Sequence, residues 1–169
     1  MLIPIAKYSF SVPANYRQFY LIDSLATGST AAPDFWTTEA FHDRVATNHG
    51  IIGVRTESEF DVPLVIELYE AKPDVDDKGW DHITEASLQA GGGNLLIYGC
   101  PDEKVGYVAL ERGTYRVRVY YGNLDSVVGE DYGDTGKDHY KLSLWQEEAL
   151  SPPIVLKRWA PQLKGRGRL

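Results

Sequence analysis

The sequence predicts an all-β chain: an antiparallel two-sheet β-sandwich of Ig-like or Greek-key type, with one short helix near residues 37–46. Three observations lead there. Apolar and polar residues alternate with period two along several segments, short strand-like runs recur at regular spacing, and Gly/Pro/Asp-rich turns separate them. At 169 residues and 43% apolar, the chain is long enough for one domain with its own core, expected over residues 1–159.

Taken in order, IAKYSFSV and YRQFYLID are strand candidates with weak alternation. DFWTTEAFHDRVA breaks the pattern. Thr37 or Thr38 stands at an N-cap position before Glu39, and Phe41 and Val45 lie four apart, so a short helix across an open end of the sandwich is expected. HGIIGVRT returns to strand. In DVPLVIELYE, Val62, Leu64, Ile66 and Leu68 share one face, while Val65, Glu67 and Tyr69 share the other. HITEASLQ, NLLIYGC and VGYVALE follow, separated by the turns AGGGN and YGCPDEK.

In GTYRVRVYYG, Tyr115, Val117, Val119 and Tyr121 oppose Arg116, Arg118 and Tyr120; in DHYKLSLWQ, Tyr140, Leu142 and Leu144 oppose Lys141 and Ser143. Each pattern is that of a strand with one dry and one wet face. The total is about nine strands. Gly113, Thr114 and Tyr115 are similar to the tyrosine corner of Ig-like sandwiches, in which the phenol bonds back to the preceding connection. PPIVLKRW reads as an extended closing segment with Trp159 as an anchor.

Charge is unevenly placed. Lys157, Arg158, Lys164, Arg166 and Arg168 follow Leu156 with no acid among them, which leaves 12 basic against 24 acidic residues, a formal −12, over residues 1–156. A body that acidic repels nucleic acid and favours basic partners. Residues 160–169 are expected to form a flexible, solvated basic tail. The opening MLIPIAKYSFSV is broken by Pro4 and Lys7 before a signal-peptide core could form, and no stretch reaches the length of a membrane span. One cysteine, Cys100, forbids an intramolecular disulfide. A soluble protein of the reducing cytoplasm, without a cofactor, is expected.

Catalytic signals are weak. There is no G-x-S-x-G elbow, P-loop or G-x-G-x-x-G fingerprint, and Cys100, between an apolar strand and Pro101, reads as a buried small hydrophobe. His42, His82 and His139 each neighbour an aspartate, yet adjacent strand residues point to opposite faces, so sequence adjacency makes no dyad. His82 and His139 would converge only if their strands are neighbours. Glu67 and Glu85 lie on faces read as wet, where any β-protein offers such acids. A non-enzymatic protein is the expectation.

The stretch DSVVGEDYGDTGKDHY concentrates Asp125, Glu130, Asp131, Asp134 and Asp138 among three glycines. Three readings fit it. It is a surface for a basic protein partner, an irregular oxygen-rich site for calcium or another ligand without EF-hand spacing, or a solvated turn. Trp80, beside Asp81, reads as either a core plug or an apolar anchor for a partner.

The order of YRQFYLID, DFWTTEA, GIIGVRT, the long central strands, GTYRVRV and DHYKLSLW resembles the competence protein J family. The likeness rests mainly on Gln18–Phe19, Trp36–Thr37, Glu39–Ala40 and Gly113–Tyr115, and spans residues 9–145. PDVDDKGWDH, GEDYGDTGKDH and the C-terminal tail have no counterpart in it. Founding members of that family are described as inhibitors of a bacterial DNA-entry nuclease. The resemblance therefore implies a bacterial inhibitor or immunity-like protein whose partner is a nuclease or toxin. The acidic loop would then mimic the phosphates that a nuclease groove must hold.

Overall fold

The protein is described by a computed structural model over residues 2–127 and 137–161. Eleven strands and one short helix make up most of that chain. The strands are β1 (Ala6–Pro13), β2 (Gln18–Asp23), β3 (Val45–Asn48), β4 (Ile51–Arg55), β5 (Asp61–Leu68), β6 (His82–Ala90), β7 (Asn94–Gly99), β8 (Glu103–Ala109), β9 (Gly113–Gly122), β10 (His139–Glu147) and β11 (Ile154–Lys157). Helix α1 covers Thr38–Asp43. No helix among the described residues is long and apolar enough to cross a membrane.

Two sheets form, in the orders β1-β5-β10-β9-β6-β11 and β3-β4-β2-β7-β8. Their facing sides share one core, in which Val62, Leu64, Val117, Val119, Leu142 and Leu144 from the larger sheet meet Phe19, Leu21, Ile52, Val54, Leu95 and Ile97 from the smaller. Burial of these side chains supplies the main driving force, at about 25 cal/mol per Å² removed from water. The period-two faces read from sequence are the faces turned to this core.

One seam corrects the expectation of wholly antiparallel sheets. β10 runs parallel to β5, with Tyr140 opposite Leu64 and Leu144 opposite Leu68. Both strands carry alternate apolar residues, so either direction satisfies the core; the chain direction is set by β9, with which β10 makes a long antiparallel ladder.

The helix is shorter than its apolar spacing implies. Thr37 caps it, its hydroxyl accepting from Ala40 N at 3.0 Å. Arg44 ends it in the left-handed region at φ 70°, and Val45 already belongs to β3. Together with residues 24–37, α1 covers the outer face of the smaller sheet, where Phe35 and Trp36 pack on Tyr20, Ala46 and Gly53. Cys100 is buried in the same cluster. Gly53 is required there: a Cβ would lie 2.9 Å from both rings.

The outer face of the larger sheet is also covered. Glu85 on β6 stands opposite Arg118 on β9 and accepts from its Nε at 2.8 Å, while its second oxygen accepts from Arg116 Nε at 3.3 Å. Arg116 also donates to the carbonyls of Ser151 and Pro152, and Arg118 to those of Pro73 and Asp74. Sequence alternation marked this face as wet; the segments at 70–80 and 148–153 close over it and bury Glu85, Arg116, Arg118 and Tyr120. On the core side, at the start of β9, the Tyr115 hydroxyl donates to the Glu111 carbonyl at 2.9 Å, the corner expected from Gly113–Tyr115.

Candidate partner-binding site

The end of β9 and the start of β10 hold the sequence-selected residues that the structure describes. After Gly122, Asn123 turns the chain at φ 53°, and residues 124–126 make one short 3-10 turn. Asp81, just before β6, fixes that turn, its carboxylate accepting from Leu124 N at 2.8 Å. Across the loop, Lys137 N donates to the Ser126 hydroxyl at 2.8 Å. The base of the loop is thus closed by hydrogen bonds. Glu130, Asp131 and Asp134 lie outside the described residues.

Asp125 is exposed at this base and accepts from the indole N–H of Trp159 at 3.2 Å. Trp80 is half-buried beside it on the outer side of the sheet. Its ring packs against His139 at 5.0 Å and Tyr120 at 5.3 Å between centroids, with the Lys141 ammonium 5.4 Å away. Gly122 leaves room for this stack, since a Cβ there would come within 2.6 Å of the His139 ring. One edge of Trp80 therefore rests on its own protein.

Asp138 corrects an expectation. The sequence places it among the charges offered to a partner, yet only 1% of it is exposed. Its Oδ2 accepts from Ser58 N, the Ser58 hydroxyl and the Tyr140 hydroxyl at 3.0, 3.1 and 2.7 Å. Tyr140 in turn accepts from Glu57 N, and Arg44 pairs with Glu57. Burial first, and then the Asp138 charge, raise the Tyr140 phenol well above its ordinary value. This carboxylate ties the start of β10 to the segment at Ser58.

His82 and His139 flank β9 on opposite faces and do not converge: His82 stands opposite Tyr121 and His139 opposite Gly122. His82 is enclosed. Its Nε2 lies 2.8 Å from the Asp43 carbonyl, and its Nδ1 accepts from Trp159 N at 3.0 Å, which together require the neutral Nε2–H tautomer. Burial is the main reason its pKa falls to about 4, with the Asp43 carbonyl opposing and Arg44 and Arg158 assisting. The histidine thus stitches the end of α1 to the closing segment.

Among the described residues, no three His, Cys, Asp or Glu side chains converge as a metal site. A wider groove of about 640 Å³ runs between Asp23–Gly50 and Ser151–Pro153, but its Asp23 carboxylate is already taken by Leu25 N and Gly92 N. Sequence reasoning missed the arginine–aromatic surface at Tyr16, Arg17, Phe41 and Arg55, because these residues come from three separate segments.

No protein-family model matches this sequence, and no curated protein matches it. Two solved structures are similar in fold. One is ComJ, an inhibitor of the DNA degrading activity of NucA, from Bacillus subtilis: it is 15% identical with a TM-score of 0.62, the match covering 87% of this chain and 99% of that one. The other is crocagin biosynthetic gene J, 18% identical with a TM-score of 0.51, covering 85% and 100%. The chain has a ComJ-like fold.

Proposed function

We propose that this chain is a non-enzymatic, cytoplasmic inhibitor or immunity-like protein of bacterial type that binds a basic protein partner, a nuclease in the first instance. The observation that carries the reading is the fold shared with the nuclease inhibitor ComJ over 99% of that chain. Charge supports it: a body of −12 over residues 1–156 is attracted to the electropositive groove with which a nuclease holds phosphates.

In this reading the β9–β10 loop is the contact. Asp125, Glu130, Asp131 and Asp134 provide anionic groups, Trp80 provides the apolar anchor at its base, and Asp138 holds the loop in register from inside. An aromatic residue ringed by charge is the usual composition of an interface hot spot.

The experiment is titration of a NucA-type nuclease with the full chain, reading DNA degradation and binding at rising salt. The reading expects inhibition that weakens with salt, and a loss of at least about tenfold when Glu130, Asp131 and Asp134 become Gln, Asn and Asn. Inhibition indifferent to those substitutions removes the loop from the reading. No inhibition and no binding at any salt removes the nuclease.

A further inference from the structure

A second surface has the opposite charge. Tyr16, Arg17, Trp36, Phe41, Arg55 and Glu59 line a concavity of about 490 Å³, two arginines against one carboxylate. It is joined to the loop base through residues 55–59, where Ser58 holds Asp138 and Glu59 pairs with Arg17 at 3.5 Å.

Three features mark this surface as built for contact. Tyr16 and Arg17 both adopt left-handed backbone, at φ 60° and 59°, which side chains other than glycine and asparagine seldom occupy. That conformation leaves Tyr16 76% exposed. Phe41, on the short helix, is 47% exposed and lies under the Arg55 guanidinium at 3.7 Å, while Arg55 Nη1 donates to the Phe41 carbonyl at 3.0 Å.

The third feature is a charge imbalance. Three arginines gather here with two carboxylates: Arg44 takes Glu57 and Arg17 takes Glu59. Among the described residues Arg55 has no carboxylate partner. Burial, then repulsion from Arg44 and Arg17, lowers its pKa to about 10. A cation stacked on a ring and lacking a counter-ion is a standing site for an anion.

We propose that this concavity binds an acidic peptide segment of a protein partner, one carboxylate docking on Arg55 while an adjacent aromatic side chain lies between Tyr16 and Phe41. A peptide fits better than a nucleic acid, because a polyanion must approach a body of −12 whereas one or two carboxylates meet only the local excess. This surface does not depend on the acidic loop or on the nuclease reading.

The test is fluorescence anisotropy of the full chain with a labelled peptide alternating glutamate and tyrosine. Comparison probes are a lysine/tyrosine peptide, a glutamate/serine peptide and labelled oligothymidylate. The glutamate/tyrosine peptide is expected to bind below millimolar concentration and at least about tenfold more tightly than the other three. Arg55→Gln and Tyr16→Gly should each weaken it about tenfold. Tyr16→Gly relieves the backbone, so its melting temperature should not fall and its loss of binding cannot be attributed to unfolding. The acidic-loop substitutions should leave this binding unchanged. The proposal is overturned by absence of binding at millimolar peptide, by equal binding of the glutamate/serine peptide, by tighter binding of oligothymidylate, or by Tyr16→Gly without effect.

Discussion

The Nδ1 atom of His82 accepts the backbone N–H of Trp159 at 3.0 Å, joining the first residue of β6 to the segment that follows β11. This bond exists only while His82 is neutral at Nδ1. An unfolded histidine titrates near 6.5, whereas folded His82 resists protonation until about 4. Between those values the unfolded chain binds a proton that the folded chain refuses, so stability falls as pH falls through this window and is complete above it. The loss should reach up to about 3 kcal/mol. Urea midpoints measured across the window should decline in the native protein and decline less in His82→Gln. Equal slopes in the two proteins would mean that other groups carry the acid sensitivity.

Glu85 makes a prediction of a different kind. Its carboxylate is shared between Arg116 and Arg118, and the Arg118 guanidinium also lies over the Trp145 ring at 4.8 Å. Arg118 is fully buried, and among the described residues its Nη2 has no hydrogen-bond partner. Glu85→Ala strands two buried cations, and a loss of about 3–5 kcal/mol is expected by chemical denaturation. A loss under about 1 kcal/mol would show that the covering segments at 70–80 and 148–153 open readily to water.

The strands were legible because alternation survives in any sheet with a buried face. All nine expected segments form strands, and Gly113–Tyr115 marks its corner correctly. Val45–Asn48 was not legible as a strand, since Val45 continues the helical spacing from Phe41 and only the left-handed turn at Arg44 separates them. Polar residues were the weaker guide. Glu85, Arg116 and Arg118 have the same pattern whether they face water or pair beneath a loop, and Asp138 is buried by Ser58, eighty positions away. Trp80 and Asp125 share one end of the fold because the segments carrying them meet through Asp81 and Leu124, a relation set by pairing of β6 with β9.

Asp125 and Asp138 should separate by experiment. Asp125→Ala removes an exposed acceptor from Trp159 and should change stability by less than about 0.5 kcal/mol. Asp138→Ala leaves Ser58 N–H, the Ser58 hydroxyl and the Tyr140 hydroxyl without their acceptor in a buried site, at a cost of about 3–5 kcal/mol. Thermal or chemical melts of the two variants provide the comparison. Similar effects would contradict the division of this segment into an exposed carboxylate and a buried anchor.

Gly122 tests how firmly Trp80 is held. The glycine lies opposite His139 in the ladder, and a methyl group there would approach the His139 ring to 2.6 Å and the Trp80 ring to 3.1 Å. Neither ring can retreat inward, because Tyr120 already backs Trp80 at 5.3 Å. Gly122→Ala should therefore push Trp80 outward, with a stability loss of about 1–3 kcal/mol and a red-shifted emission that Trp80→Phe abolishes. If Trp80 anchors a partner from its present position, the same substitution should weaken binding of that partner although Asp125 is left unchanged. Undiminished partner binding with a displaced Trp80 would assign the ring to packing alone.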